Sequence, residues 1–148
     1  MAQIILKNLN DTKDLLKKIL ESNKLSSENW SIYTIMCHCA QTIQYSMEGY
    51  PQNKPKWIQN TVGKLVIRKF LKQGYMSHNL QAHVPGAPAF ASTGTAQEGV
   101  RVLLDTIEKF ENYSGELKPH LIFGKLSKES YDQYFSMHIA DHLSEVTF

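Results

Sequence analysis

Trp30-Ser31-Ile32-Tyr33-Thr34-Ile35-Met36-Cys37-His38-Cys39-Ala40-Gln41-Thr42-Ile43-Gln44-Tyr45-Ser46-Met47-Glu48 carries apolar side chains most of the way round a helix. Trp30, Ile32, Tyr33, Ile35, Met36, Cys37, Cys39, Ala40, Ile43 and Met47 leave no clean polar face. A helix patterned in that way is normally enclosed by other elements. The stretch therefore predicts a central helix, opening after Ser26-Ser27 and stopped by Gly49-Tyr50-Pro51.

Four further helices read outward from it. The first is expected from about Asp11 to Ser22, capped by Asn10 or Asp11, with Leu15, Leu16, Ile19 and Leu20 as its stripe. The third runs from about Trp57 to Lys72, with Ile58, Val62, Leu65, Val66, Phe70 and Leu71 inward, and ends at Gly74. Thr95-Ala96-Gln97-Glu98 opens the fourth as a capping box, in which threonine and glutamate satisfy each other's free backbone donors. The fifth spans about Ser127 to Ser144 with Tyr131, Tyr134, Phe135, His138 and His142 on its inward face. Four long amphipathic helices, one shorter helix and no alternating strand pattern predict an all-α helical bundle. Gly74 to Gly94, between the third and fourth helices, holds His78, His83, Pro85-Gly86-Ala87-Pro88 and Phe90. An irregular connection that long usually covers a site or is disordered.

The 148 residues are read as one domain, 1–148, long enough to bury a core without staples. Hydrophobic content of 42% and charged content of 20% are those of an ordinary globular protein. Sixteen basic residues against 14 acidic ones give +2, with no basic stripe, which argues against nucleic acid as a partner. No apolar run approaches membrane-spanning length, and Met1 to Lys7 lacks the layout of a signal peptide. Cys37 and Cys39 point about 200° apart on one helix and cannot pair with each other there. A reducing, cytoplasmic location is expected, and the two thiols read as packing residues rather than a thiolate site.

Chemistry is concentrated in His138-Ile139-Ala140-Asp141-His142. Four residues are about 400° of helix, so the two imidazoles leave one face roughly 40° apart. Such a pair either ligates one divalent metal or consists of two core histidines with ordinary hydrogen bonds. The zinc-protease motif requires a glutamate directly after the first histidine, and Ile139 stands there. His38, midway along the central helix, is the natural third ligand; three neutral imidazoles leave a coordination position open. Gln41, one turn later, reads equally as a residue that binds substrate or metal-bound water and as a core hydrogen bonder, and Asp141 reads as a solvated charge on the bundle exterior or as a residue that orients a ligand ring. His78, His83 and His120 fall in loops and read first as ordinary loop residues, any one of which could reach an open metal position.

The blocks His38-Cys39-Ala40-Gln41-Thr42-Ile43 with Tyr45-Ser46, and Phe123-Gly124-Lys125-Leu126-Ser127-Lys128-Glu129 followed by His138 and His142, resemble a domain-of-unknown-function branch of the DinB/YfiT superfamily. The resemblance covers nearly the whole chain. It implies an up-down four-helix bundle with an extra short helix, often a homodimer. It also implies a divalent metal, zinc or nickel, on three histidines that correspond to His38, His138 and His142. Where relatives often carry a second histidine directly before the last one, this chain has Asp141. By analogy the resemblance points to a metal-dependent enzyme of the thiol transferase or hydrolase type. Its substrate would be a small molecule or a low-molecular-weight thiol. The alternative is a non-catalytic, metal-stabilised dimeric module that binds a ligand or a protein.

Overall fold

The computed structural model describes residues 3–89 and 93–148; Phe90 in the long connection lies outside the described residues. Helix α1 spans Leu9–Glu21 and α2 spans Ile32–Glu48. Helix α3 is continuous through Lys56–Ile58, a π-helical turn at Gln59–Gly63, and Lys64–Gln73. Helix α4 covers Ala96–Asn112 and α5 covers Lys128–Leu143. Strands β1 (Ser26–Ser27) and β2 (Val146–Thr147) pair antiparallel, Ser26 with Thr147 and Ser27 with Val146. The protein is thus mostly helical rather than all-α. Two-residue strands carry too little alternation to be read from a sequence, and these pair residues more than a hundred positions apart.

Local chemistry explains the helix ends. Asn8, rather than Asn10 or Asp11, caps α1, which begins at the fully buried Leu9. The Asn8 side chain accepts from the Asp11 N–H at 2.9 Å, and the Leu9 N–H donates to Asp132 of α5 at 2.9 Å. Ser31 and Ser127 cap α2 and α5 in the same manner. The capping box at Thr95 is fully formed, with both reciprocal bonds present. Each such cap contributes about 1 kcal/mol relative to alanine.

Helix α2 packs most extensively against α4, and α1 and α2 each pack against both α4 and α5. The close approach of α2 and α4 depends on Gly99. A Cβ there would stand 2.9 Å from the Cα of Tyr33 and 3.1 Å from the Cβ of Met36. Phe110, Tyr131 and Phe135 form the aromatic part of the core, with Phe110 meeting Phe135 edge-on at 5.2 Å. Truncating either phenylalanine to alanine costs about 3–5 kcal/mol at a fully buried site.

The inward face expected of α3 is corrected. Val62 and Leu65, expected inward on α3, are 56% and 66% exposed, and the buried residues of that region are Gln59, Gly63 and Ile67. The π turn inserts one residue into the helical count and swings the following face by about 100°. Gly63 thereby meets the Ile122 carbonyl so closely that no side chain fits there. The last helix, α5, is enclosed to a similar extent. Tyr131 and every residue from Tyr134 to Ala140 are buried on α5, together with His142 and Leu143.

Candidate metal centre

His38 is placed by α2, and His138 and His142 by successive turns of α5, which packs against α2. The three rings are buried, and one nitrogen from each lies within 4.8 Å of the others. Ring centroids are 5.2 Å apart for His38 and His138, 4.9 Å for His38 and His142, and 4.8 Å for His138 and His142. The Nδ1 atoms of His38 and His142 are buried with no hydrogen-bond partner among the described residues. A buried polar atom left unpaired costs about 1–3 kcal/mol. Closely spaced imidazoles with unpaired nitrogens are a donor set that fits a divalent cation.

The electrostatics agree with that fit. Burial lowers the pKa of His38 from 6.5 to about 4, with smaller contributions from His78 and His83. Burial likewise lowers His142 to about 2, helped by His38 and His78, and pushes His138 well below its ordinary value. All three rings are held neutral at pH 7, the form in which imidazole offers a lone pair to a metal.

The surroundings bring in Trp30, which the sequence did not single out for the site, beside His78, His83 and Asp141, which it did. Trp30, in the connector tied down by the β1–β2 pair, lies edge-on to His38 at 5.3 Å and parallel to His142 at 6.1 Å. His83 of the long connection lies against the same indole, with ring centroids 4.8 Å apart. His78, from the same connection, is held by Asp141: its backbone N–H donates to Asp141 Oδ2 at 3.0 Å, and its Nδ1 lies 2.6 Å from the same oxygen. The length of the Gly74–Gly94 connection and the position of Asp141 beside His142 were the available signals. The loop conformation that joins them was not legible.

Gln41 is half-buried on α2 and makes no hydrogen bond to the histidines among the described residues. Cys39 is in the core with its thiol pKa raised by burial, and Cys37 is half-buried beside Tyr33; both are free. His120, expected to be an ordinary loop residue, is instead buried at 2% exposure. Its Nδ1 accepts from the Ile122 and Phe123 N–H groups at 3.1 and 3.2 Å, and its Nε2 lies 3.2 Å from the Tyr134 hydroxyl. Its ring stacks on Phe123 at 4.3 Å.

Fold and site together define a helical protein with a buried three-histidine cluster that could hold a metal ion. The chain belongs to the family described as Protein of unknown function (DUF1569), whose model matches residues 1–148. No curated protein and no solved structure matches it. No helix among the described residues is long and apolar enough to cross a membrane.

Proposed function

We propose that the protein is a divalent-metal-binding member of the DinB-like bundles, with His38, His138 and His142 as ligands, and that it is a metal-dependent enzyme of the thiol transferase or hydrolase type. The observation that carries the reading is the convergence of three buried, neutral imidazoles within 4.8 Å, two of them with unpaired nitrogens. The packing of α1 and α2 against both α4 and α5 supports the bundle assignment, with α3 laid against α5. Zinc and nickel both suit an all-imidazole donor set. When bound, such an ion supplies Lewis acidity, which acidifies a bound thiol or water and polarises a carbonyl.

The chain's own contribution is to hold the three rings neutral and fixed, and to cover them with Trp30 and the loop bearing His78 and His83. That cover also favours a second reading, a metal-stabilised binding module without turnover. The test is metal analysis of the purified protein beside His38→Ala, His138→Ala and His142→Ala. The reading expects about one ion per chain in the wild type and a loss of stoichiometry in each variant. Unchanged metal content in all three variants would overturn it. Fully loaded protein that turns over no thiol-conjugation, ester or amide substrate, and whose chelation only lowers the melting temperature, decides for the binding module.

A further inference from the structure

His78 stands against the face of the cluster formed by α5. Its ring centroid lies 4.8 Å from that of His138 and 4.9 Å from that of His142, the spacings found within the three-histidine cluster itself. Its Nε2 is 3.2 Å from the Nε2 of His142. Donors about 2.0–2.1 Å from a tetrahedral zinc are separated from each other by roughly 3.3 Å.

The orientation of the ring is not left to chance. Asp141 takes the Nδ1 side at 2.6 Å and the backbone N–H of the same residue at 3.0 Å, fixing both the ring and the loop that carries it. With the Nδ1–H donated to the carboxylate, the Nε2 lone pair is the one that faces His142. A carboxylate behind a ligating imidazole is the usual way in which proteins orient such a ring and raise its basicity. Asp141 is only 14% exposed and His78 23%, so the pair is partly shielded from water.

We infer that His78 is a fourth nitrogen ligand of the proposed centre, delivered by the loop between α3 and α4, with Asp141 as its positioning residue. The inference rests on the three-histidine reading. It assigns the coordination position that three helix-borne histidines leave open to a residue of the α3–α4 connection. An incoming thiol or other anionic ligand then competes with His78 for that position.

Cobalt(II) provides the test, because its visible absorption reports coordination number. The full-length protein, His78→Ala and Asp141→Asn are loaded with Co2+, and zinc affinity is measured by competition with a chromophoric chelator. The wild type is expected to show the intense bands of a four-nitrogen tetrahedral site that change little with added azide. In His78→Ala water is expected to take the vacated position, so the bands should shift with the change from four nitrogen donors to three nitrogens and one oxygen, and azide should then perturb them. Zinc affinity should fall about 10- to 100-fold. Free imidazole should restore the wild-type spectrum to His78→Ala, which a purely structural role for the side chain would not produce. Asp141→Asn should keep the wild-type band pattern but bind zinc about tenfold more weakly. A wild type that takes up no cobalt or zinc overturns the three-histidine reading and this inference with it. A wild type that binds, beside a His78→Ala variant with the same spectrum, affinity and azide response, overturns the inference and leaves the three-histidine reading standing.

Discussion

His120 and the three-histidine cluster are both buried, both aromatic-lined and both held neutral, yet their nitrogens are treated in opposite ways. At His120 each ring nitrogen has a protein partner: two backbone N–H groups on Nδ1 and the Tyr134 hydroxyl at Nε2. At His38 and His142 the Nδ1 atoms are buried without one. The difference teaches that burial and a depressed pKa do not mark a ligand, because His120, with its pKa lowered to about 3, has both. What distinguishes the candidate centre is the convergence of three imidazoles, one nitrogen from each within 4.8 Å of the others, two of whose rings keep a nitrogen without a partner among the described residues. His120 organises its own turn, and the cluster on α2 and α5 could hold a metal ion.

The largest effect expected from this contrast is on metal content. His142→Ala should abolish stoichiometric binding, whereas His120→Ala should leave it intact; equal loss in both would erase the distinction. Metal present at about 100 times its dissociation constant stabilises by about 2.7 kcal/mol. Chelation should therefore lower the melting temperature by roughly 5–10 °C in the wild type and not at all in His142→Ala.

Stability is expected to reverse that ranking. His120→Ala leaves the Ile122 and Phe123 N–H groups without their acceptor and removes a ring from against Phe123. The cost should be about 3–5 kcal/mol, read as a drop in the urea midpoint of the metal-free protein. A loss below about 1 kcal/mol would mean that the turn finds other partners and that His120 is not its organiser.

These two regions were not equally legible. The candidate cluster could be read because its spacing is local: His138 and His142 share a helical face by periodicity alone, and His38 sits on a helix whose pattern announces that it is enclosed. The capping box at Thr95 was legible for the same reason. His120 and His78 were not, since their environments are made by chain reversals that no period encodes. His120 is enclosed by a turn closed through mutual backbone bonds with Gly124 at 2.8 and 3.0 Å, and Gln59 of α3 reaches over to its carbonyl at 3.3 Å. The π turn that places Gln59 there is also what exposed Val62 and Leu65 against expectation.

Acid should act on both regions in the same direction. The folded pKa of His120 is lowered to about 3 by burial, with Lys64 adding to the effect, and that of His38 to about 4. The unfolded chain, with histidines titrating near 6.5, binds more protons between those values and 6.5. The associated stability is complete above about pH 6.5 and is lost progressively as the pH falls toward the folded values. Asparagine at position 120 retains an acceptor on the Nδ1 side without the titration. In metal-free protein, His120→Asn should reduce the slope of unfolding free energy between pH 4.5 and 6 by about 1.4 kcal/mol per pH unit. An unchanged slope would show that position 120 does not titrate on unfolding.

The smallest effect is expected at the residue that touches both regions. Tyr134 lies on α5 with its hydroxyl 3.2 Å from His120 Nε2 and its ring stacked over His138 at 5.8 Å. Phenylalanine keeps the ring and removes only the hydroxyl, so the two contacts can be separated. Tyr134→Phe leaves the buried Nε2–H of His120 without an acceptor and should cost about 1 kcal/mol, seen in the urea midpoint. Zinc affinity should stay within about twofold, because the hydroxyl touches none of the three clustered histidines, and 0.4 kcal/mol or less is all that a twofold change represents. A larger fall in affinity would show that the His120 turn reaches the cluster through this tyrosine. The two histidine environments would then be one coupled network rather than a structural device beside a metal centre.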